Sequence, residues 1–228
     1  MDYEIAGDNF QSLKIILDAG EAVHADSGKL ISKDENVIMT PRVMGGIVGM
    51  LERKAVGASA LLTEFRAHDK GGHMEIAGVF PGKIMSIPLK EGEKFIAEHD
   101  AFLMHTDGMK FTITTVSIGA AFFGGAGLLL QEFTGPGTVF IHTAGDNIVY
   151  NLDGDRAIEL EPGHIAAFDY GISYKIRFVD NIRTALWGGT GLFLATFSGK
   201  GRVITHSISR YKLAATIYNE GLKQATGK

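Results

Sequence analysis

A nineteen-residue segment occurs twice in this chain, and that repetition limits the available folds more than any other feature. Gly124 to His142 reads GGAGLLLQEFTGPGTVFIH, and Gly188 to His206, 64 residues later, reads GGTGLFLATFSGKGRVITH. Ten of the nineteen positions are identical: Gly124, Gly125, Gly127, Leu128, Leu130, Phe133, Gly135, Gly137, Val139 and His142. Unrelated segments of ordinary composition would share about one or two. A fainter copy lies upstream. Aligned on Phe65 and Phe133, an offset of 68, it matches at Gly57, Ala58, Leu61, Leu62, Glu64 and Phe65. A segment used three times reads as a structural module rather than an active site.

A second unit recurs with it. Leu17-Asp18-Ala19-Gly20-Glu21 aligns with Leu89-Lys90-Glu91-Gly92-Glu93 and with Leu160-Glu161-Pro162-Gly163-His164. Each is followed by a short apolar pair and an acid: Asp26, Glu98 or Asp169. The spacing predicts a hairpin in each, with the glycine in the φ > 0 turn position that other residues resist. Two hairpins per unit give three pseudo-repeats, at about 1–75, 76–144 and 145–207, in one domain spanning 1–228.

Between the turns run short apolar or alternating stretches such as Leu13 to Leu17, Ala22 to Ala25, Lys83 to Pro88 and Lys110 to Val116. Closely spaced short strands with turn punctuation predict a mainly β protein without βαβ units. The expected fold is an antiparallel β-sandwich or double-stranded β-helix of three internal repeats, with glycine-rich loops and one short C-terminal helix. In Pro41 to Gly57, Met44, Ile47, Val48 and Leu51 fall at helical spacing, predicting about two helical turns inside a glycine-rich loop. The period changes to 3.6 after His206. Ser209 is placed as an N-cap, and Tyr211, Leu213, Ala214, Ile217 and Tyr218 mark one face of a helix over about 209–220, expected to pack on the β body.

Composition excludes several functions. With no cysteine among 228 residues, disulfides, thiolate metal sites and cysteine nucleophiles are ruled out. Lys and Arg, 22 in all, are outnumbered by 26 Asp and Glu, and no basic run reaches five, which disfavours nucleic acid. The longest apolar run, Val116 to Leu130, is broken by five glycines or serines and falls short of the ~20 residues that span a bilayer. The opening MDYEIAGDNF is acidic, without the basic-then-apolar order of a signal peptide, so a cytoplasmic protein is expected.

No catalytic constellation emerges. The Gly-x-Ser-x-Gly elbow is missing, the Gly-x-Gly pairs lack the third glycine of a dinucleotide loop, and lysines after glycine (Lys29, Lys83, Lys200) are outside any P-loop spacing. Nor does His-x-His occur, the spacing that would put two metal ligands on one face of a strand. Two weaker candidates stand out. His142 and His206 occupy equivalent repeat positions and are conceivable as a metal pair, with a shared strand-end role as the favoured reading. Glu98-His99-Asp100 with His105 and Asp107 is the densest polar group, read first as a solvated hairpin and only second as a ligand site. No cofactor is expected. Three glycine-rich loops, Met44 to Leu51, Ile118 to Leu130 and Leu186 to Phe193, fall at equivalent places. Their apolar residues Met44, Ile47, Met50, Phe122, Phe123 and Trp187 form a candidate interaction patch, unless they are core.

MGGIVGMLERKAVGASALLTEF (44–65), GKIMSIPL (82–89), FGGAGLLLQEFTGPGTVFIHTAGD (123–146), GHIAAFDYGISYKI (163–176) and WGGTGLFLATFSGKGRV (187–203) carry a family resemblance. The chain resembles the mitochondrial-biogenesis ("altered inheritance of mitochondria") family, in its uncharacterised prokaryotic branch. The resemblance implies a fold like that of the tryptophan RNA-binding attenuation protein, commonly assembled as a trimer, and it supplies no catalytic residues. The expected function is therefore a non-enzymatic, homo-oligomeric scaffold or interaction protein. The alternatives are a small-molecule or metal-binding β-helix protein, and a peripheral membrane-associated protein acting through the glycine-aromatic loops.

Overall fold

A computed structural model describes residues 1–43, 61–116, 128–179 and 192–226. The interaction-patch residues Met44, Ile47, Met50, Phe122, Phe123 and Trp187 lie outside the described residues, as do 44–57 of the segment Pro41 to Gly57 in which helical turns are expected; its first three residues, Pro41 to Val43, are strand. The rest is mainly β and antiparallel, with one C-terminal helix.

The first third of the chain holds β1 (Asp2–Ala6), β2 (Ser12–Leu17), β3 (Ala22–Asp26), β4 (Leu30–Lys33), β5 (Val37–Val43), β6 (Leu61–Ala67) and β7 (Gly72–Ala77). The second holds β8 (Gly82–Leu89), β9 (Lys94–Glu98), β10 (Phe102–Thr106), β11 (Lys110–Val116), β12 (Leu128–Thr134) and β13 (Gly137–Ala144). The last holds β14 (Asn147–Asp153), β15 (Ile158–Leu160), β16 (Ile165–Asp169), β17 (Ile172–Val179), the long β18 (Leu192–His206) and helix α1 (Arg210–Thr226).

One pairing scheme recurs in each third. β2 lies against β7 as β8 lies against β13 and β14 against the second half of β18. Likewise β3, β9 and β15 pair with β6, β12 and the first half of β18. The strands that follow, β4, β10 and β16, each shift register near their start on β7, β13 and β18. β3–β10 and β9–β16 pairings sew neighbouring thirds together. Side chains alternate across each strand, so the repeated apolar positions meet inside. Phe65, Phe133 and Phe197, the aromatic of each copy, are fully buried, and so are Leu128 and Leu130. The core comprises three clusters, one with Leu13, Ile15 and Phe140, one with Phe95, Phe102 and Phe133, and one with Phe168, Phe197 and Val203.

Two expectations need correcting. Gly20 and Gly92 do take positive φ, +84° and +77°. Gly163 does not; it sits in a 3-10 turn at Pro162–His164. The corresponding turn of the last third, between β14 and β15, is instead at Gly154, with φ +106°. None of these turns closes the expected hairpin: β2 pairs with β1 and β7 and β3 with β6 and β10, β8 pairs with β13 and β9 with β12 and β16, and β14 and β15 each pair with β18. The wording Leu-x-x-Gly serves two different turns, and the proline at the first helical position selects the 3-10 form. Pro162–His164 corresponds to the 3-10 turn Ser27–Lys29, which Asp26 caps by accepting the Gly28 N–H at 2.9 Å.

Helix α1 does not lay its apolar face on the β body. Tyr211, Ile217 and Tyr218 are exposed, while Leu213 is half-buried. The helix meets the body at its root, chiefly against the Pro162–His164 turn, where Lys212 Nζ reaches Glu161 at 2.5 Å. Ser209 gives its carbonyl to the Leu213 N–H, but its buried Oγ has no partner. The side-chain cap is not made.

Candidate functional site

His142 and His206 meet. Each sits near the end of its strand, and the shared pairing scheme carries both strand ends to one junction between the thirds of the chain. There they line a pocket of about 230 Å³ with Lys29, Val79, Phe80, Asp100 and Ala144. Gly82 marks the same junction, bridged in parallel to Phe10 on one side and Gly145 on the other.

Each side chain is held by backbone. The backbone N–H of His142 donates to Ala101 O at 2.6 Å, tying β13 to the turn before β10. Its ring lies against bare backbone. A Cβ on Gly78 would fall 2.1 Å from His142 Nδ1, and one on Gly82 would fall 2.8 Å from Nε2, so only glycine admits the imidazole. His206 Nδ1 accepts the Ala144 N–H at 2.9 Å, and a ring N–H of His164 meets His206 O at 2.8 Å. Lys29, the last residue of its 3-10 turn, is buried. Its ammonium donates to Asp100 O at 2.7 Å and to Phe102 O, with Asp26 Oδ2 at 3.7 Å.

The electrostatics follow. Burial, reinforced by the Lys29 charge, pushes His142 down to about 4. Burial followed by the charges of His142 and His164 does the same for His206. Both imidazoles are neutral at pH 7. Because Nδ1 of His206 is an acceptor, the proton of the neutral ring is on Nε2. That N–H is buried beside the Ile165 backbone. This tautomer offers no lone pair to a metal at Nε2, and the nearby ammonium repels a cation. Among the described residues, no group of three or more His, Asp or Glu is placed to hold a metal ion.

The Glu98-to-Asp107 group separates into two. Glu98 accepts the N–H groups of Asp100 and Ala101 at 2.9 and 3.2 Å and caps the turn before β10. His105 lies near the far end of that five-residue strand and Asp107 just beyond it, the strand itself spanning roughly 17 Å in extended chain. There Asp107 meets His24 Nε2 at 2.9 Å and Arg66 at 3.6 Å. Arg66 and Arg42 both bind the buried Glu64 carboxylate, at 3.1 and 2.7 Å. Burial works against the Glu64 charge, but the two guanidinium bonds outweigh it and leave the group below its ordinary value. His105 is stacked on His24 and enclosed by Phe102, Phe111 and Phe133, and burial pushes it down to about 4. This is a structural ion-pair network around a buried ring.

The pocket residues that sequence reasoning missed are Lys29, Val79, Phe80 and Ala144. Lys29 was visible only as a lysine after a glycine. Its burial depends on β10 and β13, far along the chain.

The model of the family described as Mitochondrial biogenesis AIM24 matches residues 3–208. The chain belongs to the AIM24 family. No curated protein matches the sequence. Among solved structures, a Streptococcus pyogenes protein known from X-ray crystallography superposes with a TM-score of 0.79 at 23% identity. The match covers 96% of this chain and 99% of that one, so the two chains share a fold over nearly their whole lengths. Among the described residues, no helix is long and apolar enough to cross a membrane.

Proposed function

We propose that this AIM24 chain is a non-enzymatic, homo-oligomeric interaction protein, working as a cytoplasmic trimer with a fold akin to that of the tryptophan RNA-binding attenuation protein. The observation that carries the reading is helix α1. It runs for 17 residues yet leaves Tyr211, Ile217 and Tyr218 exposed. A helix of this length with Gly221 inside it is marginal in water on its own. Contact with the body at its root supplies little apolar burial. A partner surface covering the exposed tyrosines and Ile217 would stabilise it, and a second copy of the chain is the simplest source. The Glu64 network and the repeat-spaced aromatic core give the rest of the molecule the rigidity of a scaffold.

Light scattering on the size-fractionated full chain tests this. A trimeric mass is expected, falling towards the monomer in the triple variant Tyr211→Ser, Ile217→Ser, Tyr218→Ser. A strictly monomeric parent protein overturns the reading.

A further inference from the structure

We propose that β4 of one copy pairs antiparallel with β15 of the next, so that copies of this chain join head to tail by the same seam that joins its own thirds. The proposal rests on the homo-oligomer reading above, but not on helix α1. Inside the chain the seam is made twice. β10 of the second third lies on β3 of the first, and β16 of the last third lies on β9 of the second. The series leaves one strand unmatched at each end. β4 holds the place of β10 and β16, yet among the described residues it pairs with β7 alone. β15 holds the place of β3 and β9, yet among the described residues it pairs with β18 alone. A sheet edge of this kind is a template for another strand.

Burial marks what belongs on these edges. Register shifts after Leu30, Phe102 and Ile165 make Ile31, Leu103 and Ala166 equivalent. Leu103 is buried in the core cluster of Leu13 and Phe65, in the first third, and Ala166 in the cluster of Phe95 and Phe133, in the second. Each plugs the core of the third before it. Ile31 has no third before it and is 58% exposed. At the opposite end, Ile158, Leu160, Tyr174 and Ile176 pack on the last core cluster but are only partly buried. A second copy fits both ends at once, because its β4 carries Ile31 to the place that Leu103 and Ala166 take within the chain.

The internal seams also fix the register. Met104 faces Ala25 and His105 faces His24; Ala167 faces Ala97 and Phe168 faces Ile96. Val23, Phe95 and Ile158 are equivalent, each opposite one of the repeated phenylalanines Phe65, Phe133 and Phe197. Carried to the ends, this sets Ser32 opposite Leu160 and Lys33 opposite Glu159 of the neighbouring copy. Lysine thus meets glutamate, a cross-strand pair that favours the register. Arg177 already holds the Glu159 carboxylate at 2.9 Å, so Lys33 joins an existing pair across the seam. Because the two edges differ, the contact is heterologous, and repetition closes it into a ring or runs it on as a filament.

The chain has no cysteine, so two single variants of the full chain, Lys33→Cys and Glu159→Cys, can be mixed and oxidised. Opposed residues of an antiparallel pair lie about 4.5–5.5 Å apart at Cα, within disulfide reach. A linked pair with one of each variant is expected on a non-reducing denaturing gel. Ser32→Cys mixed with Glu159→Cys places the thiols on opposite faces of the sheet and should link at least about tenfold less. Ile31→Glu, at an exposed position, should raise the dissociation constant of the assembly about tenfold by light scattering; unchanged association would overturn the seam. A parent chain that forms multimers without the mixed link, or that links chiefly between two Lys33→Cys copies, overturns the seam and leaves the homo-oligomer reading standing. A strictly monomeric parent overturns both.

Discussion

His105 makes the acid response of this protein calculable. The ring is 3% exposed, with Phe102, Phe111 and Phe133 around it; its Nδ1–H donates to Thr106 O at 2.8 Å, and its Nε2 has no partner. Burial lowers it from 6.5 to about 4 in the folded state. The unfolded chain therefore binds the proton more tightly than the folded one. Stability from this group is complete above about 6.5 and is lost as the pH falls towards 4. Integrating between those two values gives a loss of about 2 kcal/mol on going from pH 7 to pH 5. That is a large share of a typical stability of about 5–15 kcal/mol. Glu21, Asp34, Glu64, Asp107, Asp153 and Glu159 are all held below their ordinary values, so their contributions fade only at lower pH. His142 and His206 respond in the same window as His105, but they remain in both parent and variant and cancel in the difference.

The perturbation is His105→Phe, which keeps a ring of similar shape and removes the unpaired nitrogen. Urea denaturation at pH 7 and pH 5 gives the stability of each form. The parent should lose about 2 kcal/mol more than the variant over that interval. An equal loss in both would refute the assignment of His105 as a buried neutral ring. Should the variant fold poorly, the parent's own His105 ring signal decides: a titration midpoint near the ordinary histidine value would refute it as well.

Three further outcomes test the packing. Phe133→Ala removes a fully buried ring at the centre of the core and should cost about 3–5 kcal/mol, read as a drop in the urea midpoint at unchanged slope. Gly78→Ala drives a methyl to within 2.1 Å of His142 Nδ1. It should destabilise by about 1–3 kcal/mol and shift the His142 ring signals. Ser209→Ala should change stability by less than about 0.5 kcal/mol, because the side-chain cap is not made; a loss near 1 kcal/mol would show that it is.

Much of the architecture was legible in the residues. Strand periodicity, the turn glycines Gly20 and Gly92, and the equivalence of Phe65, Phe133 and Phe197 all come from local rules that the repeats restate. The failures were instructive. Leu160 to His164 was grouped with the hairpin turns on its glycine, yet Pro162 makes it a 3-10 turn. The apolar face of α1 was real, but a helical face says only that something should cover it, not what.

The candidate site divides in the same way. Repetition placed His142 and His206 at equivalent strand ends, and that much is written in the order of residues. Their chemistry is not. The tautomer of His206 is set by the Ala144 N–H, the slot for His142 by the bare backbones of Gly78 and Gly82, and the positive charge by Lys29, 113 residues before His142. Periodicity and turn chemistry act between neighbours along the chain, so the sequence alone determined the strands and their repetition. Hydrogen-bond partners, burial and charge act across space, so only the tertiary structure could turn two strand-end histidines and a turn lysine into one pocket.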